Sequence, residues 1–249
     1  MGDLFWLSDE AWAAIEPHLP KNQPGARRVD DRRVISGIVH VLKSGCRWRD
    51  CPPVYGPRTT IYNRFNRWSR RHIGQRIFGA LVDMGWIDAT VAIDATYVKA
   101  HRSAHGGKGG RRRRPLVFRV AVRPQKPYPG GCFGPTGIRL TPGNISDIRV
   151  ADELIEAVGP VRRVIADRGY DANSFRRALR SVRTVPIIPG RRSRKCPIRH
   201  DERRYRDRWR IEAAFCRLKD FRRVATRYDK LALNFLSAVV LAAIIAFWI

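Results

Sequence analysis

Three acidic residues far apart in the chain could do chemistry together. Asp94 closes the apolar run "VAI", Asp167 closes "VIA" ahead of the turn "RGYDAN", and Glu212 sits inside "YRDRWRIEAAFCRLK", residues 205–219. Taken singly, an acid at the end of an apolar strand is explained by turn formation or helix capping. Taken together, three carboxylates supplied by two strands and a helix form a donor set for two oxygen-loving divalent ions, Mg²⁺ or Mn²⁺. A metal pair of that kind activates an attacking oxygen and stabilises a leaving one in an in-line displacement at phosphorus. Bare carboxylates would repel one another and a phosphodiester, so an acid cluster on a DNA-binding surface implies metal.

The third acid has company. Tyr205, Arg208, Glu212 and Lys219 occupy offsets zero, three, seven and fourteen. On a continuous helix they fall at roughly 0°, 300°, 340° and 320°, on one narrow face. Ile211, Phe215 and Leu218 form a core-facing stripe, while Arg206, Arg210 and Arg217 gather on another side.

The elements that must carry these residues change character along the chain. Over the first 85 or so residues the pattern is helical. Ser8, Asp9 and Glu10 cap "EAWAAIEPHL", and "DDRRVISGIVHVLKSG" begins with acids and ends with Lys43 and Gly45. Pro52, Pro53, Gly56 and Pro57 then make a turn before "RTTIYNRFNRWSRR", where Arg58, Arg64 and Arg67 alternate with rings. That succession suggests either a helix-turn-helix-like DNA contact or a basic solvated face on a small bundle. From residue 86 the spacing predicts strands at "ATVAIDATYVKA", "GIRLTPGNISD", "VRRVIAD" and "TVPIIPG", and helices at "ADELIEAVG" and "DANSFRRALRS". The fold class is therefore α/β, a sheet flanked by helices and preceded by a small all-α domain, with domains at 1–85 and 86–249.

Forty-nine Lys and Arg against 22 Asp and Glu give a formal charge of +27, which calls for a polyanionic partner. Arginine dominates and is interleaved with seven Trp and seven Tyr, which favours nucleic acid over a membrane surface. Cys46, Cys51, Cys132, Cys196 and Cys216 are odd in number and irregular in spacing, as expected of a reduced cytoplasmic protein. Cys46 and Cys51 have only His40 near them in sequence, too few ligands for zinc. No signal peptide is visible, and the apolar segment 231–249, interrupted by Asn234 and Ser237, reads as a core helix rather than a membrane span. "GGKGGRRRR" lacks the pattern of a phosphate loop, and His101 and His105 read as members of a solvated loop.

The spacing Y-x₂-R-x₃-E-x₆-K over Tyr205, Arg208, Glu212 and Lys219 resembles the signature of the DDE transposases of bacterial insertion sequences, in the insertion sequence five family. "AIDATYVKAHRSA" resembles that family's first-aspartate region, "VIADRGYDAN" its second, and "FRRVATRYDKLALNFLSAVVLAA" its terminal helix. "LSDEAWAAIEPHLP" and "GCRWRDCPPVYGPRTTIYNRFNRW" are similar to its leading helical domain. The resemblance implies an RNase H-like catalytic fold in which Asp94, Asp167 and Glu212 hold two Mg²⁺ ions. It further implies double-stranded DNA as partner, both inverted-repeat ends and target, a homo-oligomeric synaptic complex, no membrane, and a place in the cytoplasm at the nucleoid. Tyr205, Arg208 and Lys219 would position DNA phosphates beside Glu212.

Residues 111–133 depart from the family, which has a stretch of the kind A-x-G-x-S-R-G-G-x-T-T-K-I-H where this chain has "RRRRPLVFRVAVRPQKPYPGGCF". Re-read one base upstream, codons for Arg119–Arg123 can spell Ser-Arg-Gly-Gly-Pro. A local shift of reading frame, restored before Gly134, accounts for the departure, and the coding DNA tests it. Two functions therefore stay open: an active strand transferase, or an inactive relic or end-binding repressor that binds DNA without catalysis.

Overall fold

The computed structural model describes residues 3–21, 30–83, 90–104, 116–128 and 131–249. His105, the "GGKGGRRRR" run, and residues 111–115 and 129–130 of the atypical segment lie outside them. In chain order the elements are α1 (Asp9–Ile15), α2 (Asp31–Ser44), α3 (Arg58–Arg70), α4 (Ile73–Asp83), β1 (Thr90–Ala100), β2 (Leu116–Tyr128), β3 (Gly131–Pro142) and α5 (Asp147–Val158). There follow β4 (Arg163–Ile165), α6 (Asn173–Ser181), β5 (Val185–Ile187), α7 (Glu202–Tyr205), α8 (Trp209–Lys219), α9 (Arg222–Ala225), β6 (Thr226–Arg227) and α10 (Ala232–Phe247).

These elements form two compact units. Unit 1 comprises Met1–Asp83, Lys99–Gly110 and Arg217–Ile249, and unit 2 comprises Met84–Val98 and Arg111–Cys216. Set beside the division expected at residue 85, unit 1 also takes in the end of the chain. The reason is α10, which is apolar on nearly every side and needs helices around it. It packs on α2, α3 and α4 and buries Phe235, Val239, Ala243 and Ile244. No helix among the described residues is long and apolar enough to cross a membrane.

Within unit 1 the helix ends follow their sequence signals. Ser8 Oγ accepts the Ala11 amide at 3.1 Å, and Asp30 Oδ1 accepts the Arg32 amide at 2.9 Å at the start of α2. Gly45 closes α2 at φ 76°, the left-handed conformation that glycine adopts without penalty. Between α2 and α3 the chain makes two 3₁₀ turns, Trp48–Asp50 and Pro53–Tyr55. That link is longer than the three or four residues of a helix-turn-helix turn, because Tyr55 folds inward, fully buried, and donates its hydroxyl to the Phe5 carbonyl at 2.8 Å.

Unit 2 is built on a mixed sheet in the order β3-β2-β1-β4-β5, with β1, β2 and β3 antiparallel and β4 and β5 parallel to β1. This is the RNase H-like arrangement expected from the sequence. Strand alternation gives the sheet two different faces. On one, Val91, Ile93, Ala121, Val164 and Ala166 pack against Ala151 and Leu154 of α5 and Phe175 and Leu179 of α6. Each large apolar side chain so buried contributes about 1.5–3 kcal/mol. On the other face Phe118 of β2 meets Phe215 of α8 edge-on, with ring centroids 5.6 Å apart.

β2 falls inside the atypical segment and still pairs with both neighbours, in continuous register with β1 and with register shifts against β3 at Ala121/Val122 and Pro124/Tyr128. Its two arginines are accommodated individually. Arg119 is 1% exposed, donates to Asp147 Oδ1 at 2.8 Å and to the Ile145 carbonyl at 2.7 Å, and also bonds Thr141. Arg123 donates to the carbonyls of Val158 and Pro160, each at 3.1 Å. Buried guanidinium groups persist only when paired in this way.

Candidate active site

Asp94 and Asp167 reach one place because their strands are neighbours. β1 and β4 pair in parallel with Thr90 opposite Arg163 and Ala92 opposite Ile165. Continuing that register by two residues sets Asp94 beside Asp167, about 5 Å away across the sheet. Both belong to the parity of Ala92 and Ile165, so they project away from the α5–α6 core and toward the face that carries α8.

Each aspartate is held by the backbone next to it. The Ala95 amide donates to Asp94 Oδ1 at 2.8 Å, and the Gly169 amide donates to Asp167 Oδ1 at 2.8 Å as Asp167 caps the 3₁₀ turn Arg168–Tyr170. Gly169 is required sterically, since a Cβ there would stand 2.8 Å from that same oxygen. The turn itself is anchored from behind. Asp171, completely buried, accepts Arg176 Nε at 2.8 Å, Arg194 Nε at 2.5 Å and the Arg191 amide at 2.7 Å, while Arg191 donates to the Gly169 carbonyl at 2.9 Å. These cations hold the Asp171 carboxyl well below the usual carboxylate range although burial opposes them. Sequence reasoning gave Asp171 of "RGYDAN" no role. Its signal was a second acid four residues after Asp167, followed by arginines.

Arg208 joins the strands to the helix. Its Nη2 lies 2.5 Å from Asp94 Oδ2, and its Nη1 bonds Glu212 Oε1 one turn further along. The segment bearing Tyr205, Arg208, Glu212 and Lys219 is not one continuous helix. α7 ends at Tyr205, Arg206–Arg208 is a 3₁₀ turn, and α8 starts at Trp209. Ile211, Phe215 and Leu218 are buried as their spacing required. Arg217 is not solvated: it donates to the Ala246 carbonyl at 2.5 Å and lies 4.6 Å over the Phe247 ring.

The electrostatics follow from this placement. Burial pushes the Asp94 carboxyl up; the Ala95 amide and Arg208 oppose that, and Asp167 and Asp147 reinforce it. For Arg208 burial works against the charge, yet Asp94, Tyr205, Glu212 and Asp167 together raise its pKa. Burial likewise raises the Tyr205 hydroxyl. Asp147 is an acid of this neighbourhood that sequence reasoning did not select; it opens α5 directly after "LTPGNIS" and is tied to Arg119.

The structure thus brings Asp94 and Asp167 side by side and links Glu212 to Asp94 through one guanidinium. Glu212 itself remains 59% exposed. Among the described residues no three of His, Cys, Asp and Glu form a group that could hold a metal ion. The donors nevertheless fit a hard divalent cation in kind, being carboxylate oxygens that have drawn a positive charge between them. Asp94, Asp167, Tyr205, Arg208 and Glu212 all belong to unit 2, whereas Arg58, Arg64, Arg67 and Lys219 belong to unit 1. Arg58 and Arg67 stand exposed on α3. Arg64 is engaged, bonded to Asp31 and lying 5.4 Å over the Trp68 ring.

Comparison with known families agrees with this geometry. The family model described as "Transposase DDE domain" matches residues 86–247, and "Putative transposase of IS4/5 family" matches residues 7–78. The chain belongs to the DDE transposases of the IS4/5 family. Among its relatives are "Uncharacterized protein y4sN" of Sinorhizobium fredii, 31% identical over 46% of this chain and 95% of that protein, and "Putative transposase for insertion sequence element IS6501" of Brucella ovis, 35% identical over 43% of this chain and 84% of that one. A solved structure, "Cryo-EM structure of piggyBac transposase synaptic complex with hairpin DNA (SNHP)", aligns with a TM-score of 0.40 and 10% identity over 76% of this chain and 50% of that one. Membership carries a transposase function and a general dependence on divalent metal.

Proposed function

We propose that this protein cleaves the ends of an insertion sequence and joins them to target DNA, with Asp94, Asp167 and Glu212 as ligands for two Mg²⁺ ions, replaceable by Mn²⁺. The observation that supports this reading most directly is the single guanidinium of Arg208 shared by Asp94 and Glu212, next to the adjacent strand-end aspartates. When bound, the metal pair supplies an activated oxygen nucleophile and charge stabilisation at phosphorus. Asp94 and Asp167, fixed by a rigid sheet and by local amides, set the position of that chemistry. Glu212, exposed on α8, would complete the ligand set once released by Arg208. The freed guanidinium is then available to a DNA phosphate, together with Tyr205 and Lys219. Hydrolysis at the element's terminus yields a 3′ hydroxyl, which attacks a phosphodiester of the target.

Duplex DNA is the partner, held in part by Arg58 and Arg67 of an end-binding helical region, and a homo-oligomer assembles the two ends in the cytoplasm at the nucleoid. A second reading, an end-binding repressor or relic without catalysis, is favoured by one observation, the non-family sequence of residues 111–133. Incubation with labelled terminal-repeat duplexes and a supercoiled target in Mg²⁺ separates the two. Nicked ends and joined products support catalysis; specific end binding with no cleavage in Mg²⁺ or Mn²⁺ leaves only the repressor.

A further inference from the structure

α6 presents two unlike sides. Phe175 and Leu179 face the core, and Arg176 is buried against Asp171, while Arg177 and Arg180 stand exposed. Two open clefts of about 560 and 490 Å³ meet at Arg180. The first is lined by Asn173, Arg176, Arg177 and Ile198; the second runs on past Arg183, the β5 residues, Arg199 and His200. Together they make a trough along the nine residues of α6, about 13 Å at the rise of a helix. It begins at Asn173, two residues beyond the Asp171 anchor of the Asp167 turn, and so leads away from the candidate active site.

The charge in this trough is unbalanced. Arg177, Arg180, Arg183 and Arg199 have no acid within ion-pair distance among the described residues, and α6 contains none. Among the described residues Asp201 is the one carboxylate on the wall, and it is engaged with Arg204, whose amide it caps at 2.9 Å and whose Nε lies 3.2 Å away. Arg183 adopts φ 59°, a left-handed backbone in which glycine would be relaxed and an arginine is strained. Like charges three residues apart on a helix destabilise one another, and an anion laid between them removes that penalty.

The chemistry of the walls narrows the ligand. Guanidinium forks match phosphate oxygens two at a time. Among the described residues no Phe, Tyr or Trp lines either cleft, and the His200 ring is already set edge-on to Tyr205 at 5.3 Å, so there is no free platform for unstacked bases of a single strand. Among the described residues Val185 is the one exposed apolar side chain on the wall, too little to anchor a protein segment. We propose that the α6 trough is a second DNA-binding surface, which grips the phosphate backbone of a duplex without reading its bases and extends the DNA path outward from the Asp167 turn. Its identification with DNA rests on the transposase reading above; its affinity for a polyanion does not.

The test uses the full chain with Arg177, Arg180 and Arg199 replaced by alanine, and a second variant with the same three replaced by lysine. Binding to a random-sequence 30-base-pair duplex is followed by fluorescence anisotropy across a salt series. Removing one arginine–phosphate pair flattens the dependence of log K on log salt by about 0.9, so the slope for the alanine variant should be shallower by about 2 to 3, equally for random and end-containing duplexes. The lysine variant should keep the slope, which excludes misfolding as the cause. An unchanged slope in the alanine variant overturns the proposal, as does a loss confined to single strands, to polyglutamate or to end-containing duplexes. A trough variant that binds like the parent and still cuts ends sinks the trough alone. A parent that loses duplex affinity with these arginines yet never cuts sinks the catalytic reading and leaves the trough.

Discussion

Arginine does opposite things at the two ends of unit 2. At the strand ends Arg208 is enclosed by Asp94, Glu212 and Asp167 and has its charge reinforced by them; along α6 and just after it, Arg177, Arg180 and Arg183 stand exposed with no acid in ion-pair reach among the described residues. The first region is an acid cluster that borrows a cation, the second a cation cluster that lacks an anion. The same side chain is therefore an internal counter-charge or an external handle according to its neighbours, and net charge alone does not say which. The contrast can be broken at either end.

The largest effect is expected at the acids. On the proposed reading Asp94→Asn keeps the shape of the site and removes one proposed metal-ligand charge, worth several kcal/mol in the transition state, so end cleavage should fall on the order of 10³-fold or more. Affinity for the duplex should not fall, because Asp94→Asn removes a negative charge and leaves every arginine in place, with Arg208 relieved of one of its two acids. Normal cleavage by Asp94→Asn would falsify the assignment of Asp94 as a ligand.

Next comes the anchor that separates the two regions. Asp171→Asn leaves Arg176 buried without its counter-charge, a loss of about 3–5 kcal/mol for a broken buried pair. Urea denaturation followed by circular dichroism should show it. The pH dependence has a definite sign. The folded-state pKa of Asp171 lies below the usual value, so its stabilisation is complete above about pH 4 and is lost as pH falls toward the folded-state value. The parent should therefore lose stability more steeply than Asp171→Asn below about pH 4, and parallel acid titrations of the two would rule this out.

A subtler change should disturb geometry with little change in stability. Gly169→Ala puts a methyl 2.8 Å from Asp167 Oδ1, which forces the carboxylate off its amide. A displacement of that order in a catalytic group costs about 10²-fold in rate. Single-turnover cleavage should fall accordingly while the urea midpoint moves little; full activity would mean that Asp167 does not need its present pose.

Much of this was legible in the sequence because it rests on period and punctuation. Asp94 and Asp167 could be found because each ends an apolar strand, and the strand register does the rest. The buried stripe of Ile211, Phe215 and Leu218 followed from helical spacing. What period could not show was the 3₁₀ turn at Arg206–Arg208, which interrupts the helix ahead of Glu212. Nor could it show partner choice. Arg64 has the same spacing signal as Arg67, yet it lies against Asp31 and Trp68, while the sequence marked "DANSFRRALRS" only as a helix and did not show that Arg180 shares a cleft with Arg199 of a later loop. Pairing between residues distant in sequence is set by tertiary packing, and local composition carries no record of it.

That distinction yields the smallest and sharpest contrast, between neighbours on α3. The Arg64 and Asp31 side chains are each only 12% exposed, so Arg64→Ala removes a partly buried, charge-assisted bond and a ring contact, about 2 kcal/mol together. Each kcal/mol shifts the melting temperature of a protein this size by about 2–4 °C, a drop that differential scanning calorimetry resolves. Its duplex affinity, measured well below that temperature, should match the parent's. Arg67→Ala should do the reverse, leaving the melting temperature in place and flattening the salt dependence of duplex binding by about 0.9. If both variants lost affinity alike, α3 would contact DNA through Arg64 as well, and the ion pair with Asp31 would have to open on binding. If neither did, the exposed arginines of α3 would be a solvated face, and the basic surface that holds DNA would lie elsewhere on the molecule.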